Sequence, residues 1–103
     1  MGSKYCQNNQ KLKDIRRAID FLKTIADKNR FKILCALEDG EQCVCKIWQN
    51  LGIRQNLASH HLNILKNMGL INSRKKGVWV FYSLNQKKIK SLKTLLNNFL
   101  NRN

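Results

Sequence analysis

The sequence predicts one mainly α-helical domain with a single β-hairpin near its C-terminal end. Apolar residues recur at helical spacing through most of the chain, two β-branched and aromatic runs follow residue 69, and no proline interrupts either pattern. The 103 residues are enough for one domain around one core. We expect residues 1–10, which are polar, to form a mobile N-terminal arm and residues 11–103 to form the folded domain.

Three helices are predicted in the first half of the chain. Residues 11–27 place their apolar side chains on one stripe, and residues 29–38 form a second helix that ends before Gly40. A short third helix spans residues 44–50, and Gly52 in the next turn is free to take a left-handed conformation. The stripe on the first helix consists of Leu12, Ile15, Ala18, Ile19, Leu22, Ile25 and Ala26.

The fourth predicted helix, residues 55–68, separates polar from apolar side chains. At about 100° per residue, the polar side chains fill an arc of roughly 140°. They are Gln55, Asn56, Ser59, His60, Asn63, Lys66 and Asn67. Because the arc is rich in amides and hydroxyls and carries a single formal charge, it suits the base edges of DNA. His60 lies at its edge and is a candidate DNA contact, whereas His61 points into the apolar arc and is expected to be a hydrogen-bonded core histidine.

A β-hairpin and a last helix follow. Residues 70–74 and 78–84 are β-rich, and residues 75–77 form a tight basic turn between them. The hairpin tip suits contact with phosphates or the minor groove, because it carries Arg74, Lys75 and Lys76.

The last helix, residues 86–101, has an apolar stripe of its own, formed by Ile89, Leu92, Leu95, Leu96, Phe99 and Leu100. So small a core cannot cover all of this stripe and the stripe of the first helix. We therefore expect part of each to pack within the chain and the remainder to form a dimer interface.

The charge of the chain is strongly positive. Twenty Lys and Arg against six Asp and Glu give a formal charge of +14, which attracts polyanions, with nucleic acid as the first candidate and an anionic membrane surface as the second. No apolar run approaches the roughly 20 residues of a membrane span, and there is no secretory segment, so we expect a cytoplasmic protein. The sequence has no carboxylate pair, nucleophile–base set or phosphate loop, which argues against an enzyme.

Five separate segments carry a more specific pattern: DKNRFKIL (residues 27–34), EQCVC (41–45), SHHL (59–62) with Leu65, GLI (69–71) and GVWVFYSL (77–84). Over roughly residues 12–100 the chain resembles the ArsR–SmtB family of bacterial metal- and arsenite-responsive repressors. The resemblance implies a winged helix-turn-helix homodimer with its first and last helices at the interface. It also implies that the form without inducer or cofactor occupies a palindromic DNA operator and leaves when an inducer binds. By resemblance, the base-reading positions are Gln55, Asn56, Ser59 and His60, and the wing positions are Arg74, Lys75 and Lys76.

The cysteines are the candidate effector site. In a cytosolic chain Cys6, Cys35, Cys43 and Cys45 are expected to be reduced. In this family context, Cys43 and Cys45 would bind arsenic(III) or a soft dication, cadmium or lead, as the inducer. Residues two apart on a regular helix lie about 200° apart, so both sulfurs reach one ion only if the first turn of the third helix is distorted. That distortion would tilt the next helix and weaken DNA binding.

Two thiolates leave such a site incomplete, because these ions take three or more sulfurs. Trp48 stands where the arsenite-responsive pattern has its third cysteine, so we expect Cys6 to supply the third thiol; Cys35 is the alternative but is expected in the core. Lys46 replaces an acidic residue of the relatives, and a cation there lowers thiol pKa and favours a neutral arsenic(III) centre. Residues 86–103 contain no Asp, Glu, His or Cys, which argues against zinc, nickel or cobalt sensing through the last helix.

Two other functions stay open. A repressor of the same fold that senses thiol oxidation or persulfides would use Cys35, which matches a reactive position in thiol-sensing relatives, although their second cysteine on the last helix is absent here. A constitutive basic protein that coats DNA or a membrane surface would bind without sequence preference and with a steep salt dependence, whereas a repressor binds one palindrome far more tightly than random DNA.

Overall fold

The computed structural model describes residues 9–101, which form five helices and a three-stranded antiparallel sheet. The helices are α1 (Asn9–Ile25), α2 (Lys28–Leu37), α3 (Val44–Leu51), α4 (Gln55–Asn67) and α5 (Gln86–Leu100), and the strands are β1 (Gln42–Cys43), β2 (Ile71–Lys76) and β3 (Trp79–Leu84). The predicted mainly α-helical domain with a β-hairpin is confirmed.

Strand β1 was not predicted. It lies beside β3, which lies beside β2, and its two residues pair with Tyr82 and Phe81. Two residues are too few to show the alternation by which a strand is recognised, so only the pairing with β3 reveals β1. It ties the segment before α3 to the hairpin.

The junction of α1 and α2 lies at Asp27. The predicted first helix included this residue, but its backbone is extended and its carboxylate accepts hydrogen bonds from the N–H groups of Asn29 at 2.9 Å and Arg30 at 3.1 Å. Asp27 is therefore the N-cap of α2, which satisfies two N–H groups that the first turn leaves without partners. Asn9 and Gln10, which were predicted to belong to the N-terminal arm, are part of α1, and the rest of the predicted arm, residues 1–8, lies outside the described residues.

The core lies where α2, α3 and α4 meet the sheet and the α1–α5 pair. Its buried members come from every helix and from the start of β2: Ala18, Phe21, Ile33, Leu37, Ile47, Ala58, Leu62, Leu65, Leu70, Ile71, Leu92 and Leu95. Ala58, Leu62 and Leu65 lie on one side of α4 and are completely buried. This side fixes the rotation of α4 about its axis and leaves the other side facing outward.

Part of the apolar stripe on each terminal helix remains exposed. Ile19 and Leu22 on α1 are about half exposed, and Leu100 on α5 is 76% exposed, although α1 and α5 pack against each other. The intrachain core thus covers only part of the two stripes. Within residues 9–101, no helix has the length and apolar character needed to cross a bilayer.

Candidate DNA interface and thiol pair

Helix α4, which we call the recognition helix, presents the predicted polar residues on one surface. Gln55, Asn56, His60 and Asn63 are exposed and Ser59 is half-buried. We call these five residues the reading face. Leu57 departs from the predicted partition, since it belongs to the apolar arc but is 42% exposed. It lies in the first turn at the edge of that arc, beyond the reach of the core.

His61 anchors the opposite side of the recognition helix. It is only 6% exposed, and its Nδ1 lies 3.4 Å from Arg30 Nη1 and 3.9 Å from Asp27 Oδ1. Arg30 also donates from Nε to the carbonyl of Thr24 at 2.7 Å. A guanidinium can only donate, so Nδ1 of His61 accepts and the ring is neutral with its proton on Nε2. The predicted core histidine is confirmed, and it ties the recognition helix to the α1–α2 junction.

The protonation of this cluster follows from its surroundings. Burial lowers the pKa of His61 more than the nearby Asp27 carboxylate raises it. The pKa of Asp27 is itself lowered, first by the hydrogen bond from the Arg30 backbone and also by the charge of Arg30. The cluster is therefore arranged around a neutral histidine and an ionised aspartate.

The hairpin of β2 and β3, which we call the wing, turns later than predicted. Lys76 pairs with Trp79, so the turn consists of Gly77 and Val78 alone. The predicted turn at residues 75–77 is therefore wrong, because the observed turn begins two residues later and ends one residue later. Gly77 has φ +64° and Val78 does not have positive φ, as a type II′ turn requires. Lys75 and Lys76 are exposed strand residues next to the tip.

The wing tip is also apolar. Val78 is 89% exposed and Trp79 is more than half exposed. Neither residue was predicted as a DNA contact, because the sequence pattern places both in the β-rich run and not in the turn. An exposed valine and tryptophan beside two lysines suit a tip that enters a groove, where apolar side chains contact sugars and base edges.

Arg74 differs from the two lysines, because its guanidinium already has an acidic partner. Its Nε donates to Glu41 Oε2 at 2.6 Å and its Nη2 donates to Glu41 Oε1 at 2.7 Å. The guanidinium also lies over the ring of Phe81, 5.3 Å from its centroid. The hydrogen bonds lower the pKa of Glu41 and raise that of Arg74. Of the three predicted wing cations, Arg74 is therefore the one whose guanidinium is held against the sheet, by Glu41 and Phe81.

Cys43 and Cys45, which we call the thiol pair, are brought together without any distortion of α3. Their sulfurs lie 2.6 Å apart, and both side chains are half-buried. Cys43 is the N-cap of α3, with φ −67° and ψ 143°, so only Cys45 belongs to the helix. The expectation that the first turn must unwind is therefore wrong, because the 200° separation applies only to two residues that are both helical.

The thiol pair favours one thiolate and one thiol. The pKa of Cys43 is lowered, chiefly by a hydrogen bond from the Cys45 thiol, with smaller contributions from the N–H groups at the start of α3 and from Lys46. The pKa of Cys45 is raised by the same interaction. The predicted effect of Lys46 is present, but its contribution is smaller than that of the second sulfur. The lowered pKa favours Cys43 as the first of the two thiols to ionise.

No third ligand joins the thiol pair within the described part of the chain. Residues 9–101 contain no group of three His, Cys, Asp or Glu side chains that could hold a metal ion. Cys6, the predicted third thiol, lies outside the described residues. Cys35 is exposed, so its predicted place in the core is wrong. The buried residues of α2 are Ile33 and Leu37, and Cys35 lies two residues from each, about 200° around the helix.

Comparison with known proteins places these features in a family. Residues 27–73 match the family described as "Bacterial regulatory protein, arsR family". The chain is 41% identical over 80 residues to the cadmium resistance transcriptional regulatory protein CadC of Listeria innocua, covering 77% of this chain and 67% of the relative. It is 33% identical over 79 residues to the arsenical resistance operon repressor of Bacillus subtilis, covering 76% of this chain and 75% of the relative.

Solved structures agree with the sequence matches. Reduced HlyU from Vibrio cholerae superposes with a TM-score of 0.74 at 33% identity, covering 92% of this chain and 100% of that chain. A homodimeric winged helix-turn-helix DNA-binding domain from Mycobacterium bovis superposes with a TM-score of 0.73 at 26% identity, covering 91% of this chain and 87% of that chain. The winged helix-turn-helix fold is confirmed.

Proposed function

The chain belongs to the ArsR family of bacterial regulatory proteins and is a transcriptional regulator, not an enzyme; from this premise we propose how it recognises DNA and what releases it. It represses transcription by binding a palindromic operator as a homodimer, and arsenic(III) or a soft dication at the thiol pair releases it. The observation that carries the effector assignment is the 2.6 Å separation of the Cys43 and Cys45 sulfurs at the junction of the wing sheet and α3.

The reading face supports recognition of base edges. Its amides and hydroxyl can form paired hydrogen bonds with bases in the major groove, and the buried side of the recognition helix holds it in a single orientation. Lys75 and Lys76 on the wing supply sequence-independent attraction to phosphates. In this arrangement the recognition helix determines the sequence specificity and the wing adds sequence-independent affinity.

The terminal helices support a homodimer. Ile19, Leu22 and Leu100 are apolar side chains that a single chain leaves in water, and they lie on the two helices that pack against each other. The structural relative from Mycobacterium bovis is homodimeric. Two copies related by a twofold axis would present two reading faces, which matches the symmetry of a palindrome.

Arsenic(III) fits the protonation of the thiol pair. The Cys43 thiolate displaces one hydroxide from arsenous acid and forms an As–S bond, and the displaced hydroxide takes the proton of Cys45. The new Cys45 thiolate displaces a second hydroxide to solvent, so arsenic keeps its oxidation state and its remaining hydroxide is open to a third thiol. We propose Cys6 as that third thiol, from the same protomer or its partner. Cadmium or lead would use the same sulfurs as thiolates.

A thiol-oxidation switch is the second candidate function. It is favoured by the exposure of Cys35 and by the contact between the two sulfurs of the thiol pair. An oxidant or polysulfide would then release the operator, whereas arsenite and cadmium would have little effect.

Operator release decides between the two functions. We would titrate arsenite, cadmium, lead, zinc and polysulfide into the operator complex of the wild type and of Cys6→Ser, Cys35→Ser and Cys43→Ser. We expect Cys43→Ser to abolish release by arsenite and cadmium, Cys6→Ser to weaken it and Cys35→Ser to leave it unchanged. A normal response of Cys43→Ser to every effector contradicts the thiol pair as the site. Release of the wild type by polysulfide but not by arsenite or cadmium, with loss of that release in Cys35→Ser or Cys43→Ser, establishes the second function.

A further inference from the structure

The thiol pair and the wing share one row of the sheet. Cys43 of β1 lies opposite Phe81 of β3, and Phe81 lies opposite Arg74 of β2. The three residues therefore follow one another across the strands at right angles to their direction. A displacement of Cys43 is transmitted to the wing through two antiparallel ladders.

Glu41 adds a side-chain link parallel to this row. It lies two residues before Cys43, and its carboxylate bridges to Arg74 through two short, parallel hydrogen bonds. The Arg74 guanidinium, in turn, covers the ring of Phe81 in the middle strand. A bidentate pair fixes the direction as well as the distance between its partners, which a single contact does not. The loop that holds the thiol pair is thereby connected to β2 by both backbone and side chain.

We propose that Glu41 is a positioning residue for DNA binding: through Arg74 it holds the wing at the angle that suits the operator, and it passes the state of the thiol pair to the wing. The second half of this statement rests on the proposed function. Binding of arsenic(III) to Cys43 and a third thiol moves the segment around Cys43, the Glu41–Arg74 geometry is lost, and the wing leaves its DNA-competent position.

Simple electrostatics makes the opposite prediction, which gives the proposal a clear test. A carboxylate near a DNA-binding wing repels phosphates and neutralises Arg74, so its removal should tighten binding if charge alone mattered. If Glu41 positions the wing, its removal weakens operator binding even though the net positive charge rises. The expected loss is about threefold to fivefold, the upper range for a partly exposed ion pair.

The first experiment measures operator affinity without effector at fixed salt for the wild type, Glu41→Gln, Arg74→Lys and the double variant. Glu38→Gln is the matched control, because it removes an exposed carboxylate that makes no ion pair among the described residues. We expect Glu41→Gln and Arg74→Lys each to weaken operator binding, and the double variant to bind no more weakly than the weaker of the two single variants. We expect Glu38→Gln to bind at least as tightly as the wild type. Tighter binding by Glu41→Gln, or fully additive losses, overturns the positioning role.

The second experiment observes the wing without DNA. In a Trp48→Phe background, Trp79 is the remaining tryptophan and lies beside the wing tip. We expect arsenite to change the emission and anisotropy of Trp79, and we expect that change to fall by at least half in Glu41→Gln. An equal change in both variants, or no change in either, overturns the link between the thiol pair and the wing.

The two proposals fail in distinguishable ways. If arsenite releases the wild type and Glu41→Gln by the same factor, the effector site stands and the link through Glu41 is wrong. If arsenite does not release the wild type, the effector assignment and the link both fall, while the affinity comparison still decides whether Glu41 positions the wing.

Discussion

The recognition helix and the wing are held in place by different kinds of contact. The recognition helix is fixed by Ala58, Leu62 and Leu65, which are completely buried, and by His61 beneath them. The wing projects from the core with exposed residues along its outer half, and it is joined to the segment before α3 by the two-residue pairing of β1 with β3 and by one surface ion pair. An element packed into the core keeps its geometry, whereas a hairpin held at its edge by a short strand and a surface ion pair is more open to adjustment. Under the proposed function, sequence specificity belongs to the recognition helix and regulation to the wing.

The largest effect should follow from removing a buried side chain from the recognition helix. Leu62→Ala removes a fully buried side chain from the recognition helix and should lower the free energy of unfolding by about 2–5 kcal/mol. Leu57→Ala is the matched control on the same helix and should cost less than about 1 kcal/mol, because Leu57 is largely exposed. Urea denaturation checks both values. Equal losses would show that the buried side of the helix is not its anchor.

The next largest effect concerns the sequence choice of the reading face. Asn56→Ala should weaken operator binding by about tenfold to one hundredfold, which corresponds to about 1–3 kcal/mol for a lost two-pronged base contact. Binding to random DNA should change little, because nonspecific binding depends on phosphates. Ser59→Ala and His60→Ala should show the same selectivity with smaller losses. Fluorescence anisotropy with operator and scrambled duplexes measures the difference, and an equal loss on both duplexes would remove the residue from the reading face.

A smaller and different effect is expected at the wing. Lys76→Ala should weaken binding to operator and random DNA by the same factor, and the slope of log affinity against log salt should fall in magnitude by about 1. Lys32→Ala, an exposed lysine on α2, is the control for loss of charge elsewhere. A preferential loss on the operator would mean that the wing also reads sequence.

The smallest effect concerns the pH dependence of the folding stability, to which His61 contributes. Because burial lowers the pKa of His61 in the folded state, the folded chain binds fewer protons than the unfolded chain just below the ordinary histidine pKa of 6.5. The contribution of His61 to the free energy of unfolding is complete above pH 6.5 and is lost as the pH falls through the lower pKa of His61 in the folded state. The charge of Asp27 raises the pKa of His61 and so opposes this loss of stability, whereas the charges of Arg30 and His60 lower that pKa and add to the loss.

Thermal unfolding between pH 7.5 and 5 checks this prediction in the wild type, His61→Gln and His60→Gln. His61→Gln should show the shallowest fall of melting temperature on acidification, and His60→Gln, which removes the smallest of the charges that lower the pKa of His61, should fall only slightly less than the wild type. Parallel curves for all three would contradict a role of His61 in the pH dependence.

The contrast between helix and wing also explains what the sequence could predict. The recognition helix was predicted to within one residue, and its two faces with it, because thirteen residues at one period carry a strong signal. The wing was predicted as a hairpin, but its turn was placed two residues too early and its exposed Val78 and Trp79 were missed. The basic composition of residues 74–76 suggested a turn, whereas the register of a hairpin is fixed by its turn type and by the pattern of buried side chains.

The site around the cysteines was the least predictable part. The predicted start of α3 at residue 44 is correct and already places Cys43 before the helix, so the error was to apply helical geometry to both cysteines. The exposure of Cys35 depends on which side of a short, weakly amphipathic helix faces the core. The Glu41–Arg74 pair joins residues 33 positions apart, and no local pattern indicates such a contact.

The position of Cys43 before α3 has a consequence for how such regulators diversify. Cys43 ends β1 and Cys45 lies in the first turn of α3, whereas the reading face lies on the recognition helix, so the thiol pair and the reading face belong to separate elements. Under the proposed function, substitutions at Cys43 and Cys45 should therefore change which chemical signal is answered while the operator stays the same. Exchange of the reading face should direct the response to the same signal to another operator. Transplanting either segment into a relative would test whether effector specificity and operator specificity can be transferred separately.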